Sequence, residues 1–451
     1  MASLGRQVVV IGAGVAGLAA ARRLRQAGRK VIVLERSQHV GGRVYTAVVE
    51  GCRIELGAEF LASFYNRTLA LIRELGLASD LRRIPRSAAI LRNGRLFDLW
   101  PSARVAFTPL ISSRHKLALS YLLGSLMRYA PLLDTQAFYK AAPVDDASIS
   151  AYARAHLSDD LLEYVLQPPI SGIFYWTPER TSRALLLLAL RAGLSSASGM
   201  RLYTMRQGLG QLAQALADGL DVRTGVEAIA VEPCAEGGYT VRARTGDAEL
   251  ALTADAVVVA TTASVVPRLL PWLPEQQLAF FSAVAYSATV NLAVGTRGRL
   301  PRDSYGLLFP RRETPFLASA TVQTVKDPDH APRGHDVICL HLSGPAAAAL
   351  RECDDETLSR LMLADLRRLA PRYDPTPRAI FQRIFRVPEA LPEFEAGHFK
   401  RLQRFAQGEI EQPGLGFAGD YLGGPFVEGA IISGEQAAER LLGGGGRLDR
   451  E

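Results

Sequence analysis

Three glycines near the start of the chain have the spacing of a phosphate-binding turn. Gly12, Gly14 and Gly17 form GxGxxG between the apolar run VVVI and a helical pattern, and Glu35 closes the next apolar run, KVIVL. In such a turn the first glycine permits a tight bend, the second lets the backbone approach a pyrophosphate, and the third lets helix and strand pack closely. The acid can accept hydrogen bonds from the hydroxyls of an adenosine ribose. The pattern therefore predicts a dinucleotide-binding strand, turn, helix and strand.

A second glycine loop follows the acid. Gly41, Gly42 and Arg43 supply free backbone and a cation just beyond the predicted ribose site. A plain NAD-binding domain does not need this loop, whereas a longer dinucleotide folded across two phosphates does; the alternative for Arg43 is a surface arginine. The turn GLG at residues 208–210 lacks the third glycine and is predicted to feed a helix. With one dinucleotide site, we expect electrons to come from an organic substrate and to leave to oxygen or another acceptor, which favours oxidase or desaturase chemistry.

The elements that would position these residues alternate between strand and helix patterns and then change character. Residues 80–205 are mostly helical in pattern, apart from a hairpin signal at Asn93-Gly94. Four strand-like runs between residues 221 and 252 indicate a small β-meander, and the buried run DAVVVA after them is expected to rejoin the first parallel sheet. Further predicted strands and helices cover residues 289–294, 318–323, 337–342, 355–369, 415–418 and 431–442.

The positive charge of the chain is concentrated in one segment. The formal net charge is +7, yet the stretch from Arg82 to Arg128 alone carries +8, because its only acid is Asp98. Its nine basic residues are Arg82, Arg83, Arg86, Arg92, Arg95, Arg104, Arg114, Lys116 and Arg128. Few aromatic residues are interleaved with these charges, so the segment suits an amphipathic helix better than a nucleic-acid surface. We expect no nucleic-acid partner.

The overall composition is that of a globular protein with more than one domain. Of the 451 residues, 48% are hydrophobic and 22% are charged. The four cysteines lack a CxxC and the seven histidines lack HExxH spacing, so we expect neither a metal nor a disulfide framework, which fits a reducing compartment. No apolar run reaches the ~18 residues of a membrane span. GxGxxG explains the N-terminal apolar run better than a signal peptide does. We expect a cytoplasmic protein, monomeric or homodimeric.

Taken together, the motifs resemble the FAD-dependent amine oxidase superfamily. They are the glycine fingerprint, GGR, VVVAT in the middle of the chain, and FAGD followed by EGAxxSGxxAA near the C-terminus. The resemblance covers nearly the whole chain and implies one FAD held by separated pieces of sequence. The residues that it implies for the cofactor are Gly12, Gly14, Ala16, Gly17, Glu35, Arg36, Gly42, Arg43, Gly57, Ala58, Glu59, Val226, Thr261, Gly419, Asp420, Glu428, Gly429 and Ala430.

Some of these residues acquire particular roles from the resemblance. Asp420 is implied to lie by the ribityl chain and the pyrophosphate, with a solvated turn aspartate as the alternative. The backbone of Val226 is implied to meet the adenine. Gly429 and Ala430 are implied to start a helix whose N-terminus faces the flavin pyrimidine ring, where it would stabilise the negative charge gained on reduction.

The resemblance also implies a fold of α/β and α+β class. A Rossmann-type (GR2-like) FAD-binding domain, with a parallel sheet plus a β-meander, is interleaved with a mixed-sheet and helical substrate domain. The predicted division is 1–80, 205–270 and 406–445 for the FAD-binding domain, 81–204 and 271–405 for the substrate domain, with 82–130 as a basic helical insert, and 446–451 as a tail.

Within the superfamily, the sequence is most similar to protoporphyrinogen oxidases, through stretches such as FTPLISSRHKLAL, PPISGIFYWTPERTS and RVPEALPEFEAGHFKRL. The superfamily's lysine near the flavin N5 is missing: no lysine occurs between Lys140 and Lys326, and the corresponding strand has Asn291. Phe426 matches one position of the amine oxidases' aromatic pair, and the sequence offers no convincing partner for it. The cysteine that attaches flavin covalently is missing as well, so we expect noncovalent FAD.

We therefore predict an FAD-dependent oxidoreductase that removes hydrides from a large, partly apolar substrate and is similar to protoporphyrinogen oxidases. The alternatives are a flavin amine oxidase, a carotenoid or isoprenoid desaturase, and an FAD-binding scaffold without turnover. Candidate pocket residues are Phe174, Tyr175, Asn291 and Phe426, for which ordinary core packing is the alternative.

The basic segment has two predicted uses. Arg92 and Arg95, on either side of the Asn93-Gly94 turn, are candidates to bind an acidic substrate, and a solvated face is the alternative. The segment as a whole is either a landing surface for anionic lipid, which would make the protein peripheral to a membrane, or a guide for a carboxylated substrate.

Overall fold

The computed structural model describes residues 7–85, 88–98, 108–116, 118–194, 200–408 and 412–443. Arg86, Arg104 and the predicted tail 446–451 lie outside these residues. The strands are β1 Gln7–Ile11, β2 Lys30–Glu35, β3 Thr46–Val49, β4 Cys52–Glu55, β5 Leu61–Ala62, β6 Leu81–Arg83, β7 Ala88–Arg92, β8 Arg95–Asp98, β9 Leu202–Met205, β10 Asp221–Thr224, β11 Glu227–Pro233, β12 Tyr239–Thr245, β13 Ala248–Ala254, β14 Ala256–Val259, β15 Thr289–Arg297, β16 Gly306–Leu308, β17 Leu317–Val322, β18 His335–Leu342, β19 Ala379–Val387 and β20 Leu415–Phe417.

The α-helices are α1 Val15–Gln26, α2 Asn66–Glu74, α3 Ser113–Lys116, α4 Leu119–Tyr129, α5 Ile149–His156, α6 Asp159–Leu161, α7 Gln167–Phe174, α8 Arg183–Leu194, α9 Gly210–Ala217, α10 Val266–Leu269, α11 Glu275–Ser282, α12 Gln323–Lys326, α13 Gly344–Ala349, α14 Asp355–Leu369, α15 His398–Ala406, α16 Asp420–Gly423 and α17 Val427–Leu441. A π-helical turn at Leu162–Leu166 joins α6 to α7. None of the helices in the described ranges is long and apolar enough to cross a membrane.

The first sheet is parallel and has the order β10-β2-β1-β14-β20. Its central strands are continuous apolar runs because both faces are covered. Val8 and Val10 on β1 pack with α1, α9 and α17, whereas Val9 and Ile11 pack with the β11–β13 meander and α10. Strands from the start, middle and end of the chain thus meet in one sheet, as the predicted return of the run DAVVVA requires.

The meander has three strands, whereas the sequence predicts four. β11, β12 and β13 pair antiparallel. The first predicted strand, β10, instead pairs in parallel with β2 at the edge of the first sheet. Gly225 follows β10 with a φ of 69° and redirects the chain, so β10 and β11 belong to different sheets.

The second large sheet is mixed, with the order β19-β15-β18-β17-β16-β7-β8. It contains the three strands predicted within residues 289–342. β7 and β8 join it through a parallel pairing of β7 with β16, and Asn93 and Gly94 form their hairpin turn with positive φ at both positions.

Among its described residues, the basic segment 82–130 is helical only in its second half, where α3 and α4 lie. Its first half supplies β6, which pairs with β9, and the predicted hairpin of β7 and β8, which pairs with β16. The hairpin signal at Asn93-Gly94 is confirmed, and the predicted helical insert is corrected to strands followed by two helices.

Candidate active site

The turn between β1 and α1 is closely packed except at its second glycine. Gly12 has a φ of 104°, and a Cβ there would stand 2.6 Å from the Ala260 carbonyl oxygen. A Cβ on Gly17 would stand 2.0 Å from the Gly12 oxygen. At Gly14 no described atom beyond its chain neighbours comes within 4 Å of an added Cβ. The protein leaves open the space where Gly14 is predicted to meet a phosphate.

The N-terminus of α1 faces this open space with free backbone donors. No described side chain caps the helix, and its first turn has no acid. Leu18 is the first helical residue whose amide bonds back into the turn, to the Gly14 oxygen at 2.9 Å, so the amides of Val15, Ala16 and Gly17 are donors for an anion. Gly41 pairs with Gly14 and donates to the Ala13 oxygen at 2.8 Å, which brings the GGR loop, with Gly42, beside the turn.

Glu35 lies where the ribose is predicted. Its two carboxylate oxygens accept from the amides of Ala13 and Ser37, both at 2.8 Å. Its carbonyl oxygen accepts from the amide of Val226 at 2.9 Å, so the predicted ribose and adenine residues are neighbours. An open cleft beside them is lined by Arg36, Ser37, Gly225, Glu227, Arg244 and Gly246.

Arg43 and Asp420 are joined by a two-pronged ion pair. Nη2 donates to Oδ1 at 2.9 Å, and Nη1 lies 2.8 Å from Oδ2. Nη1 also donates to the Ala390 oxygen at 3.0 Å, and the guanidinium lies 5.7 Å from the Tyr286 ring centre. Burial lowers the pKa of Arg43, but Asp420, Tyr286 and Glu389 together raise this pKa by more, so the guanidinium stays charged. The pair holds the GGR loop against the C-terminal FAGD turn.

Two further predicted cofactor residues lie at the carboxyl ends of adjacent parallel strands. β14 and β20 pair in parallel up to Val259 and Phe417, and Thr261 and Gly419 follow shortly after those residues. The Gly419 amide donates to the Ser433 hydroxyl of α17 at 2.9 Å. Ligands of open α/β sheets bind at such strand ends, so both residues lie on the expected side of the sheet.

α17 begins at Val427, four residues before the predicted start, so Glu428, Gly429 and Ala430 all lie in its first turn. A Cβ on Gly429 would stand 2.3 Å from the Gly424 oxygen, which explains the glycine. The Glu428 carboxylate accepts from the amides of Arg67 and Thr68 at 2.8 and 2.7 Å, and it thereby stabilises the N-terminus of α2. Because the side chain of Glu428 is occupied in this way, its backbone is the part that could make the predicted contact with the cofactor.

The turn Gly57-Ala58-Glu59 packs against the GGR loop. A Cβ on Gly57 would stand 2.1 Å from the Arg43 oxygen, and the Ala58 amide donates to the same oxygen at 2.8 Å. Glu59 then turns its side chain away from the loop and toward the mixed sheet. The turn therefore links the predicted cofactor residues to the predicted pocket residues.

The structure gives Phe426 the aromatic partner that the sequence does not reveal. Its ring lies 5.8 Å from that of Phe174 at 69° and 5.8 Å from that of Phe64 at 85°. Phe174 in turn stacks on Trp176 at 4.5 Å. Phe64, Phe174 and Phe426 are all partly exposed, so they present aromatic surface beside the first turn of α17.

The other two predicted pocket residues belong to a polar face of the mixed sheet. Asn291 on β15 and Ser319 on β17 both pair with His341 on β18, which lies between them, and the three side chains share one face. The Tyr175 hydroxyl reaches the same histidine, 3.3 Å from Nδ1. The opposite face, with Leu292 for example, packs in the apolar core with α14.

A buried ion pair that the sequence analysis missed completes this polar face. Lys326 Nζ lies 2.6 Å from a Glu59 carboxylate oxygen, and the lysine side chain is 0% exposed. The Tyr305 hydroxyl donates to the same carboxylate at 3.0 Å, and Gln323 and His341 lie 3.3 Å and 3.8 Å from it. The available signal is a lone lysine four residues after the apolar run of β17, at the end of the short buried helix α12.

The charges of this cluster are set by Lys326. Burial raises the pKa of Glu59, but Lys326 above all, together with His341 and Gln323, lowers it by more, so the carboxylate is ionised. Burial lowers the pKa of His341, and the charge of Lys326 lowers it further, whereas the Glu59 carboxylate raises it by less than these two effects together lower it. The imidazole is therefore neutral at pH 7. Glu55 nearby behaves differently: burial raises its pKa to about 7 despite Lys326. No group of three His, Cys, Asp or Glu in the described ranges could hold a metal ion.

Two buried polar atoms of the cluster make no hydrogen bond in the described structure. They are Asn291 Oδ1 and His341 Nε2, on residues that are each 3% exposed. His341 Nε2 faces a Glu59 oxygen at 3.8 Å. Asn291 Oδ1 has no comparable partner among the described residues, and buried polar atoms are rarely left unpaired in native proteins. Together with the open space at Gly14, the Asn291 oxygen fits a long dinucleotide that runs from the β1–α1 turn to the mixed sheet.

Arg92 and Arg95 lie apart from the other predicted site residues. They occupy β7 and β8, and β7 is four strand spacings from β15, about 19 Å. Arg92 is paired with Asp160 at 3.1 Å and lies 4.1 Å from the Tyr164 ring centre. A role in substrate binding stays a prediction for both arginines.

A family model described as flavin containing amine oxidoreductase matches residues 15–442. The chain belongs to this family. Protoporphyrinogen oxidase of Bos taurus is 25% identical to it, over 98% of this chain and 99% of that protein. A solved structure of a candidate protoporphyrinogen oxidase from Exiguobacterium sp. 255-15 has a TM-score of 0.78 and 23% identity, and covers 98% of this chain and 99% of its own. A solved structure of putrescine oxidase bound to putrescine has a TM-score of 0.76 and 20% identity, and the match covers 98% of this chain and 99% of that chain.

The family and these structures confirm the predicted fold class and the predicted type of enzyme. The chain is a flavin-dependent oxidase, which takes electrons from a small-molecule substrate and passes them to an acceptor. The two solved structures, at these identities, establish the shared fold.

Proposed function

We propose that the protein binds FAD noncovalently and oxidises a large, partly apolar substrate of the porphyrinogen type. The observation that carries this proposal is the composition of the substrate side. Asn291 takes the place of the superfamily's lysine on β15, and the nearest lysine, Lys326, is tied to Glu59. The exposed surface beside them is aromatic. The full-length likeness to protoporphyrinogen oxidase of Bos taurus supports the same substrate class.

The residues present support binding of FAD at its pyrophosphate, at its ribose and at the linker to the flavin. The amides at the start of α1 would hold the pyrophosphate, Glu35 the ribose, and the Arg43–Asp420 pair the linker between phosphate and flavin. No cysteine follows Cys353, so the C-terminal cofactor segment offers no thiol for a covalent bond. Bound FAD supplies the hydride acceptor. Phe174 and Phe426 would orient the substrate and exclude water from it.

Amine oxidation is the second candidate, and one observation favours it. Phe426 has an aromatic neighbour in Phe174, 5.8 Å away, which supports a pair of rings that could hold a neutral amine. Isoprenoid desaturation stays an alternative to both. A scaffold without turnover is disfavoured, since the chain belongs to a family of oxidases.

Anaerobic reduction of the purified protein separates these candidates. We expect a flavin spectrum, with FAD released by heat or acid. Protoporphyrinogen should bleach the flavin absorbance, whereas putrescine and primary amines should not. Bleaching by amines alone would establish amine oxidation. A protein that cannot be reconstituted with FAD would contradict both candidate functions.

We also propose a membrane contact for α4. Its Tyr121, Leu123 and Met127 are 47%, 52% and 68% exposed, and Arg128 lies beside them. Exposed apolar residues next to cations favour anionic lipid over a purely solvated face. The protein should bind vesicles of phosphatidylserine at low salt, and substitution of Lys116 and Arg128 by Gln should weaken that binding. Equal binding to neutral vesicles, or none, would leave the basic segment as a guide for a carboxylated substrate.

A further inference from the structure

Tyr175, His341 and Glu59 form a line from the predicted pocket to buried Lys326. The Tyr175 hydroxyl lies 3.3 Å from His341 Nδ1, and His341 Nε2 lies 3.8 Å from a Glu59 oxygen. Exposure falls along this line, since Tyr175 is partly exposed and His341 is 3% exposed. We propose that Tyr175 and His341 form a relay for the proton that the substrate loses on oxidation, with Glu59 stabilising the charged imidazole. This inference rests on the proposed function, and it holds for either a porphyrinogen or an amine.

The backbone of Tyr175 supports a role beyond packing. It ends α7 in the left-handed conformation, with φ 60° and ψ 21°, which costs a non-glycine residue about 1 kcal/mol or more. The conformation is held by the bond from its amide to the Ser171 oxygen at 3.0 Å. Its carbonyl packs on Gly344, where a Cβ would stand only 2.3 Å away. The fold thus keeps an unfavourable backbone that directs this hydroxyl at His341.

The surroundings of His341 keep its imidazole neutral, so that it can accept a proton. Its charged neighbours are Glu59 and Lys326, and its neutral neighbours are Tyr175, Asn291 and Ser319. The pKa of the imidazole is lowered by burial and by the lysine, so the neutral ring is available at pH 7. Burial raises the pKa of Tyr175, so its hydroxyl keeps a proton to pass on.

The step balances for a substrate with neighbouring C–H and N–H bonds. The C–H bond breaks as a hydride leaves to bound FAD, the N–H proton leaves to the Tyr175 oxygen, and a C=N bond forms. At the same time the Tyr175 hydroxyl proton moves to His341 Nδ1, and the new imidazolium faces Glu59. Oxygen, or another two-electron acceptor, later takes the two electrons and the hydrogen of that hydride together with the proton stored on His341; with oxygen the product is hydrogen peroxide, and no further proton is needed.

Lys326 explains why Glu59 is not itself the base. The lysine holds the carboxylate ionised through a 2.6 Å contact, and Glu59 has a low affinity for protons while that contact exists. Glu59 is therefore a positioning residue, which supplies a fixed negative charge next to the imidazole. His341 is thus a base that is oriented by a neighbouring charged group, Glu59, as is general for bases in catalytic sites.

Stopped-flow reduction under anaerobic conditions tests the relay. Tyr175→Phe and His341→Gln should each slow flavin reduction about 10- to 100-fold with little change in substrate affinity. The wild-type rate should fall below pH 6.5 as His341 becomes protonated, and His341→Gln should lack this limb. Tyr239→Phe is the matched control, because it removes a buried tyrosine hydroxyl that donates to the Pro413 oxygen at 2.6 Å, outside the site, and it should retain the rate within about twofold. Equal rates for Tyr175→Phe and Tyr239→Phe, or an unchanged acid limb in His341→Gln, would overturn the relay.

A second measurement needs no substrate. Nitrogen NMR of ¹⁵N-histidine-labelled holoenzyme, assigned by difference from His341→Gln, should show His341 with its proton on Nε2 and Nδ1 as acceptor. Tyr175→Phe should raise its titration midpoint, since the hydroxyl bond favours the neutral ring. A proton on Nδ1, or an unmoved midpoint, would contradict the relay. If no substrate reduces the wild-type flavin, the proposed function fails, and these spectra still decide whether Tyr175 and His341 are joined.

Discussion

The nucleotide end of the site and its substrate end are built from different parts of the protein. Around Gly12, Gly14 and Gly17 the site consists of backbone amides and of the space that missing side chains leave. Around Glu59 it consists of side chains, with Lys326 and His341 packed on the carboxylate. The first region lies within some thirty consecutive residues, whereas 267 residues separate Glu59 from Lys326.

This difference predicts different responses to substitution. A backbone site depends on the absence of atoms, so an added methyl group acts by collision or by filling the ligand's space. A side-chain site depends on paired charges, so removal of one partner leaves the other buried and unpaired. At the nucleotide end, a substitution should therefore be able to change cofactor binding without changing stability. At the substrate end, stability should depend on whether the buried charges remain paired.

The largest effect is expected at the substrate end. Lys326→Met leaves the Glu59 carboxylate buried without its cation, and the free energy of unfolding should fall by about 3 to 5 kcal/mol in urea denaturation. The matched control is the double variant Glu59→Gln with Lys326→Met, which should recover most of that loss because no charge is left unpaired. A single variant as stable as the wild type would show that the charges are not a coupled pair.

Gly17→Ala should have the next largest effect, at the nucleotide end. Its Cβ would stand 2.0 Å from the Gly12 oxygen, and both atoms belong to packed backbone. We expect the apoprotein to lose about 3 kcal/mol of unfolding free energy, because β1 and α1 must separate. Gly193→Ala, in helix α8 at a position where an added Cβ meets no described atom within 4 Å and φ is not positive, is a control for the general effect of the substitution in a helix. Equal losses would mean that the helix and strand are not closely packed.

The same contrast explains what the sequence could and could not predict. The glycine turn and Glu35 could be predicted because spacing alone places them. The strands β15, β17 and β18 could also be predicted, since each is a buried apolar run. Ser319 and Thr321 on β17, and Cys339 and His341 on β18, alternate with apolar residues along their strands. This pattern indicates one polar face of the sheet, but it does not show which residues pack against that face.

Three features depended on contacts between distant parts of the chain. β7 joins the mixed sheet through β16, which has only three residues and no pattern of its own. Lys326 meets Glu59 only after the sheet closes over the GAE turn. The partner of Phe426 comes from the end of α7, where Tyr175 adopts a left-handed backbone that no local pattern predicts. Topology, rather than local propensity, fixes each of these.

Gly14→Ala separates cofactor binding from folding. Gly14 has φ −66° and ψ 168°, which any residue adopts, and its Cβ would meet no described atom beyond its neighbours. The apoprotein should unfold as the wild type does, while the dissociation constant for FAD rises about 10- to 100-fold, because the methyl group fills the space predicted for the pyrophosphate. Titration of apoprotein with FAD, followed by flavin fluorescence, measures this. Loss of folding together with binding would contradict the division between the two ends.

The smallest effect concerns Glu55, which differs from its neighbour Glu59 because it forms no ion pair with any cation in the described part of the chain. It accepts hydrogen bonds from the Leu209 amide at 2.9 Å and the Thr46 hydroxyl at 2.7 Å, yet burial raises its pKa to about 7. The folded protein therefore binds a proton that the unfolded chain, with an ordinary carboxyl pKa, releases. Stability contributed by this group is present at low pH and is lost as pH rises toward and past 7, by about 1 to 2 kcal/mol between pH 6 and 8. Glu55→Gln should flatten that part of the stability curve, whereas Glu352→Gln, at a side chain that is 88% exposed, should leave it unchanged. A slope that survives in Glu55→Gln would assign the proton to another group and would remove the difference between the two buried carboxyls.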